Sequence, residues 1–424
     1  MLIAPLNSVI GLPAFSQKTL RGWGTERLYL RAKTDRRQPF VQSLIQGALP
    51  RLKAWSVLAI GIMQALLLEA HWFLFRTAAH FLIGLSPTFL HALFATLIVL
   101  AFSFILAAML GFYYSNLLVR VFYRIASIWL GFLSFFFWAA CICRLFEGIL
   151  WLSPLARYLP IYRPILGGTL ASLAILVGLY SMFNARRIRV RRIAVELPNL
   201  PPSWRGRTAL VLSDLHLGNV CNRGFSRRVA TLAAGLRPEI VFIPGDLFDG
   251  SKADPDRLLA PFKDLNPPLG IYFAAGNHDE FGGSAHYTAA LQRVGIHVLD
   301  DQCLPVDGLR IIGVPYGSST HPLHLRVFLE SLDLHNGQPS ILLNHVPSRL
   351  PIVESAGVSL QLSGHTHGGQ LFPFNWATHR IFGKFSYGLQ RFGKLQVYTS
   401  TGCGTWGPPM RLGAQPEVVL FTFM

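Results

Sequence analysis

The spacing of apolar residues divides the chain in two. In the first half the apolar runs are long and do not alternate. Four stretches, at about residues 55–75, 89–112, 123–143 and 165–183, come close to or exceed the roughly 20 residues with which a helix crosses a hydrocarbon core. The second and fourth carry no charge, the third has only Arg124 near its start, and the first carries Glu69 and His71. From Ile193 the pattern changes. Ile193-Ala194-Val195-Glu196-Leu197 alternates as a strand and a Pro-rich stretch ends it. Short apolar runs then predict strands at 209–213, 240–244, 270–275, 296–299, 309–314, 341–344, 360–363, 395–400 and 418–423. Helical periodicity falls near 224–235, 255–264, 285–294, 321–332 and 348–355. Ile240-Val241-Phe242-Ile243 is apolar on both faces, as in a sheet covered on both sides. The expected organisation is a basic N-terminal arm (1–54), a multi-pass α-helical membrane domain of about four helices (55–185), a basic and Pro-rich linker holding the first strand (186–207), and a layered α/β domain (208–424).

Charge sharpens this division. The 424 residues are 51% apolar and only 14% charged, with a net charge of +17, against about 25% charged in an ordinary soluble domain. Residues 1–192 hold 20 Lys and Arg against 4 Asp and Glu, whereas residues 193–424 hold 18 against 17. The basic excess belongs to the apolar half, so a bilayer is the expected partner and nucleic acid is not. With both ends of the four-helix segment inside, sixteen Lys and Arg flank the inner side and four the outer. The positive-inside bias then puts the α/β domain in the cytoplasm, at the inner (cytoplasmic) membrane. No basic leader precedes the first apolar run, so a cleaved signal peptide is not expected. Glu69, costly inside a bilayer, is expected near the outer end of the first helix, paired with Arg144. The run Arg186 to Arg192 is a topology signal that also attracts anionic headgroups. Five scattered cysteines, with no CxxC, build no disulfide framework.

The chemistry lies where the strands of the second half end. Asp214-Leu-His216, Gly245-Asp246-Leu-Phe-Asp249, Gly276-Asn277-His278-Asp279, Asn344-His345 and Gly364-His365-Thr-His367 each follow a candidate strand. Residues i and i+2 of a strand face the same way, so Asp214 with His216, and His365 with His367, are expected to converge in this manner. Carboxylate, imidazole and amide donors from five strand ends describe a site for two borderline divalent ions. A Gly before each of Asp246, Asn277 and His365 permits close approach of backbone and metal.

This order of motifs resembles the calcineurin-like metallophosphoesterases, over about residues 186–424. Ser363 to Gln370 and Gly404 to Arg411 are similar to the bacterial membrane-anchored and YkuE/YaeI-like members. The resemblance implies a four-layer αββα domain. It also implies one ion on Asp214, His216, Asp246 and His367, and a second on Asp246, Asn277, His345 and His365, with Asp246 bridging. Manganese is the first expectation for such nitrogen- and oxygen-rich donors, with iron or zinc as alternatives. Two ions sharing a hydroxide would attack the phosphoester in line. His278 would protonate the leaving oxygen, with Asp249 orienting it. Two departures matter. Gly250 stands where protein Ser/Thr phosphatases have an Arg, and Asp279 replaces their Glu, which counts against a phosphoprotein substrate. Pro244 suggests that its strand ends in a bulge or lies at an edge. Arg411 is a candidate for a substrate phosphate or for a loop anchor. Phe372 and Phe374 are candidates for contact with a lipid or nucleobase, with core packing as the default expectation.

The reading that follows is a membrane-anchored phosphoesterase acting on a phosphodiester or phosphomonoester. Location favours a lipid-linked substrate, with a soluble cyclic nucleotide beside it. The alternatives are a transporter or receptor with a regulatory, non-catalytic domain of this fold, in which Glu69 would be central, and a scaffold that has lost turnover.

Overall fold

The computed structural model describes residues 54–424 apart from Ile83, Gly282 and Gly283. The basic N-terminal arm expected over residues 1–54 thus lies almost wholly outside the described residues. Leu67–Met424 pack as one unit. Four helices are long and apolar enough to cross a membrane: α1 (Ala54–Phe81), α2 (Pro87–Tyr113), α3 (Leu117–Trp151) and α4 (Leu159–Asn184). Ser86 caps α2 through Phe89 N, and Asn116 caps α3 through Val119 N. Large apolar side chains such as Val99, Leu118 and Leu176 face outward, as a lipid-facing surface requires.

The polar end of these helices differs from expectation. Arg144 lies beside Glu147, three residues along the same helix, and not beside Glu69. The Glu147 carboxylate also meets His80 Nε2 at 2.6 Å and Arg163 Nη2 at 2.6 Å, while Arg144 donates to Arg76 O and Thr77 Oγ1. An i, i+3 neighbour is held at contact distance by the helix itself, so it outcompetes an acid on another helix.

Past Asn184 only four residues precede the first strand. One sheet contains, in spatial order, β1 (Arg189–Val195), β12 (Glu417–Phe423), β2 (Thr208–Val211), β3 (Ile240–Ile243), β4 (Ile271–Phe273) and β5 (Ile296–Val298). The other contains β10 (Gly388–Phe392), β11 (Leu395–Thr399), β9 (Leu360–Ser363), β8 (Ser340–Asn344), β7 (Leu309–Val314) and β6 (Gln302–Val306). Alternation sorts each strand between two layers. Ala209 and Val211 face the second sheet, meeting a core that holds Ile311, Leu343 and Leu362, while Leu210 faces the other way. That outer face is covered by α5 (Arg223–Leu236), α6 (Pro255–Leu259) and α8 (Ser284–Arg293). The outer face of the second sheet is covered by α10 (Pro322–Ser331) and α11 (Leu350–Ser355). The result is the four-layer αββα arrangement.

Three local expectations are corrected. The first strand starts inside the basic run, at Arg189, because it pairs in parallel with β12 at a sheet edge, where exposed Arg side chains are tolerated. β6 and β10, also edge strands, were not expected at all. β3 is central, between β2 and β4, and Pro244 stands just past its last ladder residue, so no bulge or edge is needed.

The helices and the α/β layers share a core. Phe135 of α3 and Ala174 of α4 are buried with Leu371 and Met410. Lys252 N donates to Gly111 O, and Arg411 N to Ser181 O. Replacing Glu147 by Ala strands Arg144 and Arg163 and removes the partner of His80 Nε2. We expect a loss of about 2 kcal/mol, below the 3–5 of a fully buried pair because Arg144 and Arg163 reach water. Thermal unfolding in detergent should show a lower Tm for E147A and none of that loss for E69Q.

Candidate metal centre

The strands stop short of the chemistry. β2 ends at Val211, β3 at Ile243 and β9 at Ser363, and the candidate ligands lie in the turns beyond. Asp214, His216, Asp246, His365 and His367 all have left-handed backbone, with φ of 52°, 47°, 50°, 68° and 49°. Strand alternation therefore does not bring the pairs together, contrary to the i, i+2 expectation. The left-handed turns curl the chain over the sheet ends and re-aim each side chain. Such a conformation costs about 1–3 kcal/mol for a residue with a Cβ, so surrounding bonds must hold it. Asp214 N donates to Gly245 O and His216 N to Asp246 O. Two glycines make room as expected: a Cβ on Gly276 would lie 2.3 Å from Asp246 Oδ1, and one on Gly364 2.0 Å from Asp214 Oδ2.

Around these turns the ligand atoms gather into three overlapping groups: two outer ones, of Asp214, His216 and His367 and of Asp246, His345 and His365, and a middle one of His216, Asp246 and His278. His216 Nε2 lies 2.9 Å from His367 Nε2, and His367 Nε2 lies 3.5 Å from Asp214 Oδ1. Asp246 Oδ2 stands between the outer groups, 3.7 Å from His216 Nε2 and 3.1 Å from His345 Nε2. Asn277 Oδ1 is 3.1 Å from His365 Nδ1. The orientation of these donors is fixed from behind: His365 N donates to Asp214 Oδ1, His278 N donates to Asp246 Oδ1, and His345 Nδ1 meets Pro244 O at 2.9 Å.

The electrostatics fit divalent cations. Burial holds His216 and His367 well below the usual imidazole range, and burial with the neighbouring His345 lowers His365 to about 3. These three rings are neutral and keep the lone pair that coordination needs. Burial pushes Asp246 up, but the imidazoles of His345 and His278 outweigh it and hold the carboxyl well below its usual value. His345 is lowered by burial and raised more by Asp246, to about 10. Two buried neutral Nε2 atoms at 2.9 Å share at most one proton, and with two carboxylates at the same spot the donor set suits cations better than hydrogen bonds.

Of five further residues, four take places that the sequence did not foretell, and Arg411 takes the loop-anchor place. The Asp249 carboxylate does not reach His278. It accepts from Asn219 N and Ser251 N, closing its own turn, and only its main-chain oxygen lies near His278 Nδ1, at 3.3 Å. Arg411 is fully buried and cannot approach a substrate. Its Nη1 donates to His367 O at 2.9 Å and its Nη2 to Gly404 O at 2.6 Å, with His367 Nδ1 3.1 Å away. Buried main-chain oxygens claim the guanidinium, one of them also met by Gln370 N, which makes Arg411 a loop anchor. Asp279 accepts from Phe248 N and Gly276 N and staples two ligand turns together. Burial with the nearby Asp246 raises it to about 7. Phe372 and Phe374, expected in the core, are exposed. A short helix that sequence periodicity missed, α12 (Phe374–Phe382), carries one of them outward.

Comparison with known proteins agrees with this geometry. The family model for calcineurin-like phosphoesterases matches residues 207–369. An uncharacterised metallophosphoesterase of Aquifex aeolicus is 32% identical over 59% of this chain and 97% of its own length. The transmembrane protein with metallophosphoesterase domain of Danio rerio is 30% identical over 57% of this chain and 59% of its own length. The uncharacterised metallophosphoesterase YkuE of Bacillus subtilis is 28% identical over 53% of this chain and 81% of its own. With its groups of metal-type donors at the strand ends, the chain belongs to the calcineurin-like metallophosphoesterases and is a metal-dependent phosphoester hydrolase.

Proposed function

We propose that this protein is a membrane-anchored phosphoesterase that cleaves a phosphodiester or phosphomonoester with two divalent ions, manganese foremost and iron or zinc as alternatives. The observation that carries this reading is Asp246 Oδ2 standing between two outer groups of donors. Asp214, His216, Asp246 and His367 would hold one ion, and Asp246, Asn277, His345 and His365 the other. Bound there, the ions supply Lewis acidity toward phosphoryl oxygens and bring the ionisation of water into the neutral range.

The remaining work falls to the chain. His278 is half-buried at the rim, its ring centroid 4.9 Å from that of His216. With Nδ1 donating to Asp249 O, its Nε2 is the atom that passes a proton to the leaving oxygen. Gly250 leaves no guanidinium clamp beside His278, which favours small or lipid-borne phosphoesters over phosphoproteins. Residues 208–424 would form the catalytic domain, residues 186–207 its link and first strand, and residues 55–185 the anchor. The basic run Arg186 to Arg192 follows the end of α4 that meets Arg411, which supports a cytoplasmic catalytic face at an inner membrane. Location again favours a lipid-linked substrate.

Purified full-length protein with Mn²⁺ should hydrolyse bis-p-nitrophenyl phosphate. Metal-loaded protein inert with Mn²⁺, Zn²⁺ and Fe²⁺ would sink the proposal. Asp246→Asn should lose metal from both sites by elemental analysis, while His278→Ala should keep its metal and lose roughly 10²–10⁴-fold in kcat, the usual worth of a general acid. Equal metal loss in both variants contradicts the assignment. Arg411→Lys removes donors from carbonyls of the ligand turns, and we expect weaker metal binding with KM unchanged. A raised KM at full metal occupancy would instead mean that Arg411 binds phosphate.

A further inference from the structure

An apolar surface lies beside the metal centre on α12, outside the site itself. Phe372, Phe374, Trp376 and Ile381 are 58%, 47%, 71% and 65% exposed. At 100° per residue, Trp376, Arg380 and Ile381 fall on one side of the helix, with Phe374 at its edge beside the buried Thr378, while the half-buried Phe382 points the other way. The Phe382 ring stands 6.1 Å from the ring of His365, so the back of this helix touches the ligand turn. Aromatic and basic residues on one exposed face are the composition of a helix that lies in a membrane interface.

Two independent observations name the occupant. The first is charge. Arg380 and Lys384 lie exposed on the helix and just past it, and the sequence between Glu354 and Glu417 holds no Asp or Glu. Two exposed cations among aromatic side chains complement anionic headgroups. The second is continuity with the anchor. Leu371, one residue before the patch, is buried with Met410 against Phe135 and Ala174 of the membrane helices.

The level of this contact can be read along α3. Arg124 and Arg144 are twenty residues apart, about 30 Å of helix, which matches the thickness of a hydrocarbon core. Gly131, where an added Cβ would lie 2.4 Å from Met410 Sδ, is seven residues to the apolar side of Arg124, about 10 Å. An interfacial helix sinks about 5–10 Å into the headgroup and acyl boundary. Phe135, which also meets these loops, is eleven residues along, about 16 Å. The loops that carry Leu371 and Met410 therefore reach that boundary and pass below it.

We infer that Phe372 to Ile381 is a second membrane attachment, which lies in the headgroup layer of the bilayer that the four helices cross and holds the metal centre against it. The inference rests on the membrane-spanning part of the proposed function and is independent of turnover.

Depth measurement by spin labelling tests it, using the full chain in vesicles of phosphatidylglycerol and phosphatidylcholine. Cys141 and Cys303 are replaced by Ser, leaving only the buried Cys143, Cys221 and Cys403. Single labels are then placed at Val99→Cys, Trp376→Cys and Leu323→Cys, positions 70%, 71% and 74% exposed. Collision with oxygen reports lipid, and collision with a water-soluble nickel chelate reports water. The expected result is lipid-like relaxation at 99 and 376 and water-like relaxation at 323. A water-like label at 376 beside a lipid-like one at 99 overturns the inference and leaves the anchor intact. A water-like label at 99 overturns both. None of these readings requires the phosphoesterase to be active.

Discussion

One buried guanidinium joins what would otherwise be separate parts. Arg411 donates to the carbonyls of His367 and Gly404, and its own backbone is held by Ser181 and Asn184 at the end of α4. A buried charge is tolerated only where hydrogen bonds meet it, and here they reach both Nη1 and Nη2 though not Nε. Several parts of the structure therefore have to stay in register: the ligand turn after β9, the turn after β11 and the last turn of a membrane helix. The position of His367 depends on where α4 ends.

The ligand turns show the same dependence on a smaller scale. Five residues with left-handed backbone are held by main-chain bonds between adjacent turns and by the Asp279 carboxylate, which reaches two of them. Folding here brings together groups that repel or compete for protons, so the energy that favours closure must come from outside the turns. The inter-sheet core, which holds Phe242, Leu343 and Leu362, supplies it. Cations bound between the carboxylates and imidazoles add to it, since they bind the folded arrangement alone.

Much of this was legible in the sequence, for reasons that also mark the limits. Buried strands such as Ile240–Ile243 and Ile341–Asn344 declare themselves because both faces are apolar. The edge strands Gln302–Val306 and Gly388–Phe392 do not, because a strand paired on one side tolerates a mixed pattern. The motif residues that end in one cluster were recognisable by their order. Their convergence was assigned to strand alternation, whereas left-handed turns produce it, and no residue pattern other than the neighbouring glycines signals such turns. The places of Asp249 and Asp279 are not legible for a common reason. Each carboxylate also accepts from a main-chain group far away in sequence, Asn219 N and Phe248 N, and those partners leave no trace in local spacing. The pairing of Arg144 with Glu147 was legible as an i, i+3 neighbour and was passed over for a partner on another helix.

The four residues between Asn184 and Arg189 have a consequence for how substrate is met. A catalytic domain on a long tether sweeps a volume and samples whatever diffuses through it. Here β1 starts almost where α4 stops, and the two halves share a core, so the domain has no radius to sweep. On the proposed anchor, its reactive centre would stay at one height above the bilayer, and encounter would become a two-dimensional search by molecules that present their phosphate at that height. Selection by altitude would then act before any selection by shape.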